Sequence, residues 1–197
     1  MKPVGNGSVG NSSPLRLFLA CPISPAVAEQ CVQYQESLRR RGWRGAYPAR
    51  EALHLTLYFL GDVEPTRVDE IVAIARSVMA SEPFTVHWDT VGRFGPREHP
   101  RVIWVGQSRP PGALLAFQRR LQSSMMEAGL GLDTARERWT PHITLLRVHE
   151  ASPMPSLPPW PSTTDQFTQV LLMHSTLTPT GARYRTLEAF SLQSPHG

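Results

Sequence analysis

The chain has 197 residues, a mass of 22.0 kDa, 41% hydrophobic side chains and a formal net charge of +4. That length and apolar content suit a folded domain with a substantial core and exclude global disorder. No apolar run approaches a membrane-spanning helix. Cys21 and Cys31 are too few for a secreted disulfide framework, so the expectation is a cytoplasmic protein with two free thiols. Positive charge is almost wholly arginine, Lys2 being the only lysine, and guanidinium suits bidentate contacts to phosphate.

Residues 1–14 are polar and rich in Gly, Ser and Asn, the composition of a disordered extension. Arg16 to Ala20 reads as a first strand. Ser24 can cap a helix with Pro25 at its first position. Val27, Cys31, Tyr34 and Leu38 then recur at helical spacing, predicting a helix over 25–40 that stops at Gly42. A loop over 43–50 leads to a strand over 52–60, closed by Gly61-Asp62. Val68, Ile71, Val72, Ala75, Val78 and Met79 mark a second helix over 66–80, with Thr66 and Asp69 as a capping pair.

A strand over 84–91 follows, and the Gly- and Pro-containing run 92–100 reads as a loop. Residues 101–106 form another strand. Leu114, Phe117, Leu121 and Met125 stripe a third helix over 111–128, and residues 140–147 form a further strand. Five prolines in 151–161 forbid a helix or central strand and predict an irregular connection. Strands over 167–174 and 184–192 flank the turn Thr178-Pro179-Thr180-Gly181, and 193–197 is a tail.

Two of these strands carry the same signature, His54-Leu55-Thr56-Leu57 and His142-Ile143-Thr144-Leu145. Side chains alternate along a strand, so each His shares a face with its Thr while the apolar residues face the core. A single His-x-Thr is ordinarily a strand with a structural histidine. Here the pattern recurs in repeated context, because strand 16–20, helix 25–40 and strand 52–60 match strand 101–106, helix 111–128 and strand 140–147. The expected architecture is α+β: two pseudo-symmetric lobes of antiparallel sheet with covering helices, forming one domain over 15–192. The lobes face each other across a central cleft that holds both motifs.

Such a cleft is equipped for phosphoryl chemistry. Histidine titrates near neutrality, so one imidazole can act as base and the other as acid. Thr56 and Thr144 can donate to phosphoryl oxygens, and Arg147, just past the second motif, can neutralise them. Zinc would require three or four ligands in close array, and the chain shows no such cluster. Neither a Walker phosphate loop nor a dinucleotide glycine pattern is present, so no metal or other cofactor is expected. Phe59 and Trp43 are candidates for stacking on a base.

The chain resembles the two-histidine phosphoesterases, and within them the RNA 2′,3′-cyclic phosphodiesterases, also called 2′-5′ RNA ligases. The resemblance runs from RLFLA at 16–20 through LHLTLYFLG at 53–61, Gly92-x-Phe94, PRVIWVG at 100–106 and PHITLLR at 141–147. Ser175-x-Leu177 and Gly181-x-x-Tyr184 complete it. His174 stands where the family commonly has an acidic residue. The resemblance implies metal-independent hydrolysis of a 2′,3′-cyclic phosphate on an RNA end or nucleotide to a 2′-phosphate; a monomer is expected. Joining of RNA ends through a 2′-5′ bond is the related reaction.

Two alternatives stand beside it: turnover of another small cyclic phosphate, and binding of RNA ends with little turnover. Arg147 beside the second motif would depress His142, and Phe59 occupies the matching place after His54. That contrast assigns the base to His142 and the acid to His54.

Overall fold

The computed structural model describes residues 13–131, 139–150, 156–178 and 181–193. The expected extension and tail therefore fall outside the described residues apart from 13, 14 and 193. So do 151–155 of the proline-rich connection and 179–180 of the last turn.

Strand β1 (Leu15–Pro22) buries Leu17, Leu19 and Cys21 completely and leads into helix α1 (Pro25–Arg40). The helix begins as its sequence dictates. The Ser24 hydroxyl accepts from the Val27 N–H, Pro25 occupies the first turn, and Arg39 and Arg40 sit in the last. Gly42 follows at φ +88°, a conformation that favours glycine. Strand β2 (Arg44–Ala46) lies inside the stretch expected to be a loop. Three residues carry too little periodicity to announce a strand, and β2 exists because it pairs with a later one.

Strand β3 (His54–Val63) continues through Gly61-Asp62 rather than closing there. Helix α2 (Val68–Val78) starts later than its apolar stripe suggested. Thr66 lies in a 3-10 turn over Pro65–Arg67, and no side chain caps the helix. The strand expected over 84–91 is two strands, β4 (Phe84–Trp88) and β5 (Thr90–Phe94), so its second half enters the expected loop. Asp89 divides them because its carboxylate accepts from the Ser108 N–H, the Ser108 hydroxyl and the Thr90 hydroxyl. Strand β6 (Val102–Gly106), helix α3 (Gly112–Glu127) and strand β7 (His142–Glu150) follow as expected. Strands β8 (Thr163–Phe167), β9 (Gln169–Thr178) and β10 (Gly181–Ser191) end the chain.

All strand pairings among the described residues are antiparallel except one isolated bridge, Ala80 to Gln193. The main sheet runs β10-β9-β1-β3-β7-β6-β5, with β2 also on β7, while β4 and β8 form a separate pair. The protein is thus α+β. Its main sheet has two halves, and between β3 and β7 the only registered pair is Leu55 with Ile143. Both side chains are fully buried among Leu17, Leu19, Cys21, Val105 and the apolar faces of the helices. The other face of the sheet at this seam carries the polar residues. No helix among the described residues is long and apolar enough to cross a membrane.

Candidate active site

The antiparallel pairing of Leu55 with Ile143 puts His54 and Thr144 on one side of that pair, and Thr56 and His142 on the other. All four side chains leave the core face and line one cavity of about 360 Å³ together with Arg147 and Phe59. The spacing of these last two does not by itself take them there. His142 and Arg147 are five residues apart, so strict alternation would turn Arg147 into the core.

A β-bulge prevents this. Ile103 pairs with Leu146 and Trp104 with Thr144, so Leu145 is the extra residue; Leu145 and Leu146 are both buried, and Arg147 emerges on the cavity side. Strand β3 repeats the device. Leu19 pairs with Tyr58 and Ala20 with Thr56, Leu57 and Tyr58 are both buried, and Phe59 turns to the cavity. The adjacent buried pairs Leu57-Tyr58 and Leu145-Leu146 are the mark of these bulges in the sequence.

The two imidazoles are held alike. His54 Nδ1 lies 2.7 Å from the Ala52 carbonyl and His142 Nδ1 lies 2.8 Å from that of Thr140. A carbonyl only accepts, so each Nδ1 carries the hydrogen and each Nε2 is the atom left for chemistry. His54 Nε2 accepts from the Thr56 hydroxyl at 3.0 Å. His142 Nε2 has no hydrogen-bond partner among the described residues. Phe18 and Tyr184 pack on the His54 ring at 4.9 and 5.3 Å between centroids, and Phe94 meets the His142 ring edge-on at 4.8 Å.

Burial disfavours the charged form of both histidines. It pushes His54 down to about 4, opposed by the hydrogen bond to Ala52 and reinforced by the charges of His142 and Arg147. Burial also lowers His142; the bond to Thr140 opposes the shift and Arg147 adds to it. The expectation that Arg147 acts on His142 alone therefore fails. One guanidinium faces both rings across the shared cavity, because the seam brings the motifs together.

Trp43 does not belong to the site. Its ring is 3% exposed and packed in the main core, so neither face can receive a base. Phe59 does line the cavity, but the Arg16 guanidinium stands over its ring, 4.8 Å from the centroid. Arg16, Phe18, Ser175 and Tyr184 also line the cavity, and no local pattern in the sequence marks them as site residues. All four lie in stretches that carry the resemblance: RLFLA at 16–20, Ser175-x-Leu177 and Gly181-x-x-Tyr184. A second cavity of about 350 Å³, lined by Phe94, Trp139 and Gln122 among others, adjoins the first at Thr56, Phe59 and His142. Among the described residues, no group of three or more His, Cys, Asp or Glu comes together as a metal site would require.

A cavity walled by two imidazoles, two threonine hydroxyls and a guanidinium defines a phosphoester site of the paired-histidine kind. The chain belongs to the 2′-5′ RNA ligase superfamily, whose family model matches residues 24–175. It is 32% identical over 196 residues to an RNA 2′,3′-cyclic phosphodiesterase of Thermus thermophilus, covering 93% of each chain. A Thermotoga maritima protein of the same name is 29% identical over 181 residues, covering 88% of this chain and 93% of its own. The crystal structure of E. coli LigT complexed with 3′-AMP superposes with a TM-score of 0.75 at 29% identity, covering 93% of this chain and all of that one.

Proposed function

We propose that the protein hydrolyses 2′,3′-cyclic phosphates at RNA ends or on nucleotides to 2′-phosphates, with His54 and His142 as the catalytic pair. The observation that carries this reading is the matched anchoring of the imidazoles. Both Nδ1–H groups are tied to main-chain carbonyls two residues upstream, leaving two Nε2 atoms on one cavity with Thr56, Thr144 and Arg147.

In-line displacement sets the attacking water and the departing 3′-oxygen on opposite sides of phosphorus. The main cavity continues past His54 to Phe18, Phe59 and Tyr184, an aromatic wall suited to the nucleoside that carries the leaving oxygen. His54 is therefore the acid. His142, with its free Nε2, removes the proton from water on the far side. This returns the roles expected from sequence, but for a different reason.

Burial and the neighbouring charges hold His54 low, and substrate charge acts against them. A bound phosphodiester anion favours imidazolium. Once protonated, His54 directs its Nε2–H to the departing 3′-oxygen, and the Thr56 hydroxyl, no longer donating to Nε2, turns its hydrogen toward a phosphoryl oxygen. Thr144 and Arg147 complete the set of donors, which gain strength as charge builds on those oxygens in the transition state.

The two bulged His-x-Thr strands are the matching parts of two pseudo-symmetric lobes within one cytoplasmic, monomeric domain. A 5′-hydroxyl in place of water would give a 2′-5′ bond by the same proton transfers. The test is turnover of nucleoside 2′,3′-cyclic phosphates, with products identified by ³¹P NMR. Wild type should give the 2′-phosphate, and His54→Ala and His142→Ala should each lose at least ~10²-fold with unchanged circular dichroism. Retention of more than a tenth of the activity by either variant removes that histidine from the mechanism.

A further inference from the structure

At the end of the main cavity away from His142, one row of side chains crosses three strands. Arg16 of β1 pairs with Ser175 of β9, and Ser175 pairs with Tyr184 of β10. Directly opposite residues in an antiparallel sheet point to the same face, and all three line the cavity. Each brings hydrogen-bond donors that the protein leaves uncommitted. Ser175 is only 9% exposed, yet its hydroxyl has no partner among the described residues, and the Tyr184 hydroxyl has none either. Among the described residues Arg16 forms no ion pair, although Asp62 of β3 lies opposite it in the strand pairing. Its guanidinium rests over the Phe59 ring, which fixes it at the cavity rim without using its hydrogens.

The Ser175 hydroxyl opens on the cavity, where a ligand can accept its hydrogen. A guanidinium with two hydroxyls, and no carboxylate joined to them, is a set of donors for an anion. Its position says which anion. The Tyr184 ring contacts the His54 ring edge-on, so the row begins one side chain away from the catalytic pair. Phe18 touches both rings and floors the space between.

We propose that Arg16, Ser175 and Tyr184 form a second phosphate subsite, which takes the phosphate on the 5′-oxygen of the terminal nucleotide while its cyclic phosphate lies between the histidines. In an RNA end that group is the internucleotide phosphodiester; in a mononucleotide it is a free 5′-phosphate. The subsite selects a phosphorylated end over a bare nucleoside cyclic phosphate. It rests on the proposed use of the main cavity for the cyclic phosphate. Because Arg16 is already held against Phe59, little side-chain freedom is lost on binding. Arginine is also the residue whose planar fork matches two phosphate oxygens.

The experiment compares kcat/KM for three substrates: adenosine 2′,3′-cyclic phosphate, the same compound carrying a 5′-phosphate, and a dinucleotide ending in adenosine 2′,3′-cyclic phosphate. Wild type should prefer the two phosphorylated substrates by at least ~10-fold, the scale of a charge-assisted contact. In Arg16→Gln the preference should fall toward unity for both, and in Ser175→Ala it should fall part of the way. Each preference is a ratio within one protein, so a loss of folded material does not change it.

Equal wild-type turnover of all three substrates would overturn the subsite while leaving the cyclic phosphodiesterase intact. So would a preference that survives Arg16→Gln. A dinucleotide preference unaccompanied by one for the 5′-phosphate would place recognition in the preceding nucleoside, and would also overturn it. Failure to turn over any of the three would refute the catalytic reading instead.

Discussion

Arg147 is one charge serving two histidines, and that has consequences for each side chain. Removing it should raise the pKa of both imidazoles, since a positive neighbour penalises imidazolium. NMR titration of Arg147→Ala should show both moving up; movement of His142 alone would mean that Arg147 does not face His54. Lysine keeps the charge but lacks the planar fork, so Arg147→Lys should retain more turnover than Arg147→Ala and less than wild type. Histidine burial also sets the response to acid. The folded value of His54, about 4, lies below the ordinary 6.5, so the unfolded chain takes up a proton first as pH falls. Stability should be level above that ordinary value and decline from there down to about 4, by an amount on the order of 3 kcal/mol for this residue. His142 adds in the same direction. Urea midpoints measured across that range should show the decline, and His54→Gln should make it shallower. An equally steep decline in the variant would assign the acid sensitivity elsewhere.

Strands β3 and β7 meet at one registered pair, so the catalytic geometry depends on a short seam of backbone. Leu55 is fully buried at that seam. Leu55→Ala should cost about 2–5 kcal/mol, the range for truncating a buried leucine, and should lower turnover in the fraction that stays folded. Undiminished turnover in the folded fraction would show that the seam does not hold the histidines in place. Much of this level was readable beforehand. Helix α1 announced its cap, its apolar stripe and its glycine stop, and the two His-x-Thr strands announced which face was polar. What alternation could not show was the direction of Phe59 and Arg147, because a bulge reverses the parity of every residue after it. The doubled buried residues Leu57-Tyr58 and Leu145-Leu146 mark both bulges, but such pairs also occur in strands buried on both faces. Strand β2 was invisible for another reason. Gly45 lies so close to β7 that a Cβ there would stand 2.1 Å from the Arg147 carbonyl oxygen, a tertiary constraint without a local pattern. Trp43 misled as a stacking candidate because its type suits a base as well as a core, and only the turn after α1 decides between them.

At the scale of the whole molecule, the proposed reaction axis runs from one half of the sheet to the other, with His54 on β3 and His142 on β7. The chemistry proposed for that axis needs only proton transfer and fixed donors, so extensive EDTA treatment should leave turnover unchanged. A loss restored by a stoichiometric divalent ion would require a metal the proposed mechanism does not include. The same axis makes the two histidines unequal despite their matched anchoring. If the nucleoside lies against Phe18, Phe59 and Tyr184, its 3′-oxygen leaves on the His54 side, and water enters beside His142. A leaving group of much lower pKa needs little help from an acid, while the attacking water must still lose its proton. His54→Ala should therefore recover most of its lost rate on a 2′-nucleotide ester with a p-nitrophenyl leaving group, and His142→Ala should stay slow. The opposite pattern would place the nucleoside on the Phe94 and Trp139 side of His142, in the adjoining cavity, and exchange the two roles. Rescue of neither would mean that the imidazoles act on the phosphate as charges rather than as proton carriers.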